Sequence, residues 1–182
     1  IKLNNDFFEH FWDDKSGGFF FTPDYGEKLL TRQKEIYDGA IPSGNSVAML
    51  NLLRIARITA DNSYEVKAEK INQVFSEQIK RYPAGFTQFL IALDFAVGPL
   101  YEIILTGGKK SNEVNSLRSV IEDKFIPNKI LLFISSTGAR VAKIAPYLVN
   151  YPEGEKATVY VCENYTCNFP VSDPESLREL LF

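Results

Sequence analysis

Apolar residues recur at helical spacing through the first half of the chain and give way to short unbroken apolar runs in the second. Residues 1–12 place Leu3, Phe7, Phe8 and Phe11 on one side, as the second half of an amphipathic helix would. Asp13-Asp-Lys-Ser-Gly-Gly18 is a turn cluster, and Phe19-Phe-Phe-Thr22 reads as a short strand with residues 29–35 as its partner. A helix is expected from about Asn45 to Thr59 and a second from about Ser63 to Arg81, joined through Ala60-Asp-Asn62 into an αα-hairpin. A third, from Pro83 to about Val97, has proline in its first turn and apolar residues on most sides, which predicts burial.

After Gly98-Pro99 the spacing changes. Strands are expected over 101–106, 129–135 and 157–162, alternating with helices over 112–124 and 140–149. A last helix over 173–181 is introduced by Ser172-Asp-Pro-Glu. The prediction is an α+β protein. Helical hairpins with a β excursion occupy 1–98, and a small α/β layer of about three strands with right-handed crossovers occupies 99–182.

Composition narrows the function classes. A chain of 182 residues that is 45% hydrophobic can bury a core, which excludes global disorder. Its net charge of −3, with Lys and Arg scattered, leaves no footprint for nucleic acid or an anionic membrane. No apolar run reaches the roughly 20 residues that span a bilayer, and the start lacks the form of a signal peptide. A cytoplasmic location is expected, and a start in mid-polypeptide is expected from the half-helix at residue 1.

Candidate chemistry concentrates at Asp38-Gly-Ala-Ile-Pro-Ser-Gly-Asn-Ser46, a polar loop that runs into the helix from Asn45. Helix N-termini collect free N–H donors and a positive dipole end, which suits anionic or hydroxyl-rich ligands. Asp38 is the catalytic candidate, as general base or hydroxyl acceptor, and Ser43, Asn45 and Ser46 are ligand-binding candidates; an ordinary capped helix is the plain alternative. Glu35 and Asp94 are the candidates for a second acid or base. Asp94 lies in an apolar helix, where a carboxylate needs a partner, and a structural bond to a helix end or to Arg54 competes with catalysis. Trp12 is a candidate for stacking on a sugar ring or for the core, and His10 beside it for the same sugar-stacking site or, more plainly, for a packed or surface side chain. Gly107-Gly108-Lys109-Lys110 lacks the full phosphate-loop pattern and reads as a βα turn.

Cys162 and Cys167, with four residues between them, are the thiol pair. Two buried, inert, reduced thiols are the default, with a loop-closing disulfide or half a metal site as alternatives. One histidine and two cysteines are too few for a four-ligand zinc site, so no metal and no cofactor are expected. Asn164-Tyr-Thr166 matches the glycosylation triplet, which matters only in a secreted protein.

Phe19-Phe-Phe-Thr22, the Asp38 loop with Val47-Ala48, Asn51-Leu-Leu-Arg54, Ala92-Leu-Asp94, Glu102-Ile-Ile-Leu105, Pro127-Asn128 and the run from Tyr160 to Pro170 occur in one order. In these residues the chain resembles the C-terminal part of the YyaL/spermatogenesis-associated thioredoxin-domain family. The resemblance implies a thioredoxin-like domain followed by an (α/α) barrel of the six-hairpin glycosidase and N-acylglucosamine 2-epimerase type. This chain would hold the last barrel hairpins and a C-terminal extension, without that domain. The epimerases' acid–base histidine pair cannot lie here, because His10 stands alone.

Two main readings follow, with a thiol function for Cys162 and Cys167 as a third. In the first the chain contributes to a carbohydrate-binding or carbohydrate-processing pocket, glycosidase- or epimerase-like in the intact parent and inactive as an isolated piece. In the second it is an interaction or scaffold module that completes the barrel and docks the thioredoxin-like domain or a subunit, with no catalysis of its own. The expected partners are a carbohydrate ligand, the N-terminal part of the same polypeptide and a further copy of the chain.

Overall fold

The computed structural model describes residues 1–107, 112–134, 139–152, 154–164 and 166–181. It divides into two compact units, one of Ile1–Ala56 and Asp61–Val97, the other of Arg57–Ala60 and Gly98–Phe182. The fold is α+β. Among the described residues no helix is long and apolar enough to cross a membrane.

The first unit contains α1 (Lys2–Phe11), most of α2 (Gly44–Thr59), α3 (Asn62–Arg81) and α4 (Thr87–Val97). Asp61 caps α3 by accepting the Ser63 amide, in the short turn that the sequence marks as a hairpin connection. One apolar side of each long helix is buried, through Ala48, Leu52 and Leu53 on α2 and Ala68, Ile71, Phe75 and Ile79 on α3. Burial of each leucine, isoleucine or phenylalanine among them contributes roughly 1.5–3 kcal/mol.

In this unit two local expectations change. The β excursion forms no paired strands: a bridge joins Trp12 to Phe19, and the Phe21 amide donates to the Gln33 carbonyl. Side chains take the place of a strand partner, because Asn45 holds both backbone groups of Phe19 and Arg32 donates to the carbonyls of Thr22 and His10. The third helix also starts later. Pro83–Gly85 forms a single 3-10 turn, and α4 begins at Thr87.

The second unit contains β1 (Tyr101–Thr106), α5 (Asn112–Glu122), β2 (Lys129–Ile134), α6 (Ala139–Ala142), β3 (Thr158–Glu163), β4 (Thr166–Cys167) and α7 (Pro174–Leu181). β4, two residues long, adds to the three strands read from sequence. The sheet order is β2-β1-β3-β4, with β1 parallel to β2, β3 antiparallel to β1, and β4 antiparallel to β3. Alternation along the strands supplies two apolar faces. Ile103, Leu105, Val159 and Val161 pack with Val114, Leu117 and Ile121 of α5 and with Leu177 of α7. Ile104 faces the other way, toward Ala145 and Leu148.

Candidate functional site

Ser43 ends the loop that leads into α2, and its hydroxyl accepts the Ser46 amide at 3.1 Å, capping the first turn. The same hydroxyl donates to Ser46 Oγ at 2.8 Å, and Ser46 Oγ donates to Asp38 Oδ2 at 3.1 Å. Asp38 Oδ1 accepts the Ser43 amide at 2.8 Å, and Oδ2 accepts the Phe89 amide at 3.0 Å. Phe89 is the third residue of α4, so one carboxylate closes the N-termini of two helices. The Asp38 amide donates to the Gly85 carbonyl at 2.9 Å, which fixes the loop against the 3-10 turn ahead of α4.

Asn45 faces elsewhere. Its Oδ1 accepts the Phe19 amide at 2.7 Å, and its Nδ2 donates to the carbonyls of Phe19 at 2.9 Å and Glu35 at 2.8 Å. All four residues are buried, Asp38 at 8% exposure and Ser46 at 0%. The structure thus brings Asp38, Ser43 and Ser46 into one hydrogen-bonded cluster, with Asn45 beside it on α2. Both serine hydroxyl hydrogens and both carboxylate oxygens meet protein partners, as buried polar groups require. A negative charge at two helix N-termini is favourable on dipole grounds as well.

The remaining candidates fall away from this cluster. Trp12 is buried in an aromatic group, its ring edge-on to Phe19 at 4.9 Å and to Phe8 at 5.4 Å, with the Lys67 ammonium 4.4 Å from the ring centre. It reaches the cluster through Phe19, whose backbone Asn45 clasps. His10 Nδ1 lies 3.0 Å from Asp24 Oδ1 at the surface. Glu35 and Asp94 are both exposed. The burial cost expected for Asp94 therefore does not arise, because this carboxylate projects from the solvated side of α4.

Cys162 and Cys167 face each other across the β3–β4 pair and are joined by a disulfide, which replaces the default of two reduced thiols. Gly108, Lys109 and Lys110, and Tyr165 of the glycosylation triplet, lie outside the described residues.

Three features were not singled out in the sequence. Phe89 enters through its backbone amide, for which side-chain patterns carry no signal. Asp13 pairs with Lys34 at 2.7 Å, and the bonds from Lys34 and Ser16 hold its carboxyl well below the usual aspartate range. Tyr37 and Tyr82, both exposed, bring their rings against Gly85, where an added Cβ would come within 2.8 Å of the Tyr82 ring and 3.1 Å of Tyr37. Glu77, Gln78 and Arg81 complete a shallow depression around these rings. The Tyr82-Pro83-Ala-Gly85 turn was the available clue.

No family model matches the chain. It is 33% identical to spermatogenesis-associated protein 20 of Homo sapiens over 174 residues, which cover 94% of the chain and 22% of that protein. The rat protein of the same name, from Rattus norvegicus, matches to the same extent. An uncharacterized protein of Caenorhabditis elegans is 30% identical over 171 residues, 93% of the chain and 23% of that protein. The chain spans about a fifth of the length of the curated relatives it matches (22% to 23%), and for spermatogenesis-associated protein 20 the match is at the C-terminal end.

Proposed function

We propose, from the premise that this chain is related to the C-terminal part of the spermatogenesis-associated protein 20 family, that it serves a longer polypeptide as a structural and interaction module with no catalysis of its own. The helical unit completes the hairpins of an (α/α) barrel, and the α/β unit docks the thioredoxin-like domain or a subunit. A cytoplasmic setting goes with this reading. The observation that supports it is the Asp38 carboxylate, which accepts from Ser43, Ser46 and Phe89 and so ties helix ends together rather than facing a ligand.

A carbohydrate reading keeps one observation in its favour, the exposed pair Tyr37 and Tyr82 beside Glu77, Gln78 and Arg81. Aromatic faces with polar groups around them suit sugar rings better than a buried carboxylate does. Thermal shift of the intact parent against free sugars, amino sugars and sugar phosphates separates the two. The module reading expects no shift across the panel, with Asp38→Asn lowering the melting temperature of the unliganded parent. A shift abolished by Tyr37→Ala or Tyr82→Ala would install the carbohydrate reading. A shift abolished by Asp38→Asn but kept by an equally destabilising change at Gly17 would return the pocket to the helix mouth.

A further inference from the structure

We infer that the Cys162–Cys167 disulfide is a reversible thiol–disulfide exchange site whose co-reactant is a dithiol, and that reduction loosens the β3–β4 hairpin, which opens more often yet re-closes, while the rest of the sheet stays folded. β3 is paired along its whole length with β1, from Thr158 opposite Thr106 to Glu163 opposite Tyr101. β4 pairs with β3 through two residues, both exposed, at the outer edge of the sheet. The bond therefore joins a strand fixed by the core to a segment that carries little of it.

The two cysteines differ in access. Cys162 is 3% exposed and sits in β3 against the packed interior, whereas Cys167 is exposed on the edge strand. Thiol–disulfide exchange needs an attacking thiolate to reach one sulfur, so access decides which sulfur is attacked. Cys167 is that sulfur.

Backbone bonds on both sides of the disulfide can close the hairpin without it. Asn168 donates to the Val161 carbonyl at 3.0 Å, and Val159 and Val171 exchange both backbone bonds at 2.8 and 3.0 Å. On the inner side Asn164 donates to the Leu100 carbonyl at 3.1 Å, and its side chain accepts the Leu100 amide at 3.2 Å. These contacts keep the cysteines near each other after reduction, which lets the bond re-form.

The exchange balances as follows. A thiolate of the dithiol attacks Cys167 Sγ, the Cys162–Cys167 bond breaks, and Cys162 leaves as a thiolate that takes a proton from water. The second thiol of the reductant, as its thiolate, then attacks the reductant's own sulfur in the mixed disulfide and closes a cyclic disulfide. Cys167 leaves as a thiolate and is protonated. The protein gains two electrons and two protons, and the dithiol loses them.

The full chain, without denaturant, is equilibrated in dithiothreitol buffers of graded oxidised-to-reduced ratio, then acid-quenched, alkylated and weighed. Both cysteines should gain label together in one two-electron transition that reverses on reoxidation. Amide exchange near residues 164–171 should rise at least about tenfold while β1 and α5 stay protected. Cys167→Ser should reproduce that exchange pattern without reductant. With Cys162→Ser, Cys167 should form a mixed disulfide with oxidised glutathione, releasing one glutathione, faster than Cys162 does in Cys167→Ser. Resistance to reduction until denaturant is added overturns the proposal, as does exposure of β1 and α5 on reduction. Faster capture at Cys162 overturns the assignment of the attacked sulfur.

Discussion

Asp38 Oδ2 accepts the backbone amide of Phe89 at 3.0 Å across 51 residues of chain, so the first turn of α4 is capped by a side chain that its own segment does not contain. The cap also explains why α4 starts at Thr87 although the apolar pattern begins at Pro83: the loop that carries Asp38 binds the Gly85 carbonyl and sets where the helix can open.

Asp38→Asn replaces one carboxylate oxygen by a donor, and either orientation of the amide turns that donor toward another donor. The loss of a charged acceptor inside a buried network should cost about 2–3 kcal/mol. Urea unfolding followed by circular dichroism reads it directly. A midpoint equal to the parent's would show that the cluster contributes nothing to stability.

Asn45→Ala removes an acceptor for the Phe19 amide and donors for the carbonyls of Phe19 and Glu35, and it leaves buried backbone groups unpaired. We expect a loss of about 3 kcal/mol, together with increased exchange at the Phe19 amide. Asn45→Asp should be no better, since a carboxylate faces two carbonyl oxygens. Rescue by Asp would mean that the clasp is not as described.

Acid sensitivity should concentrate at Asp13. Its pKa is depressed in the folded state, chiefly by the hydrogen bond from Lys34, so the unfolded chain binds this proton at higher pH than the native one does. The stabilisation is complete above the ordinary aspartate value of about 4 and is lost as pH falls below it. Melting temperatures measured between about pH 2 and 6 should fall less steeply in Lys34→Met than in the parent. Identical slopes would remove this pair from the account.

Gly17 holds a φ of +81°, and a Cβ there would lie 2.9 Å from the Cβ of Lys70 on α3. Gly17→Ala should destabilise by about 2 kcal/mol through backbone strain and contact together. Because Gly17 and Asp38 share no hydrogen-bond partner among the described residues, its cost should add to that of Asp38→Asn in the double variant. Strong non-additivity would show the two regions to be coupled.

The long helices were legible because their apolar residues repeat with the helical period and Asp61 marks the start of α3. β1, β2 and β3 were legible as apolar runs, yet their order was not, since nothing local states that β3 runs antiparallel to β1. The strand expected at Phe19 looked sound by composition and was lost to Asn45, a side chain 26 residues away. The polar cluster could be read as a cluster from its spacing. Its orientation could not, because the deciding partner is a backbone amide in a distant helix. The cysteine pairing waited on the hairpin register, which two residues of β4 supply.

Asn45 is followed by Ser46, a sequence open to slow deamidation when the next amide nitrogen can swing onto the side-chain carbonyl. Here the Ser46 amide is tied to Ser43 Oγ and the Asn45 amide group to two carbonyls, so ring closure must await a local opening. Conversion to aspartate would then prevent the clasp from re-forming. Chemical ageing at this asparagine is thus gated by breathing at the mouth of α2, and each opening that ends in hydrolysis is one from which the site does not return.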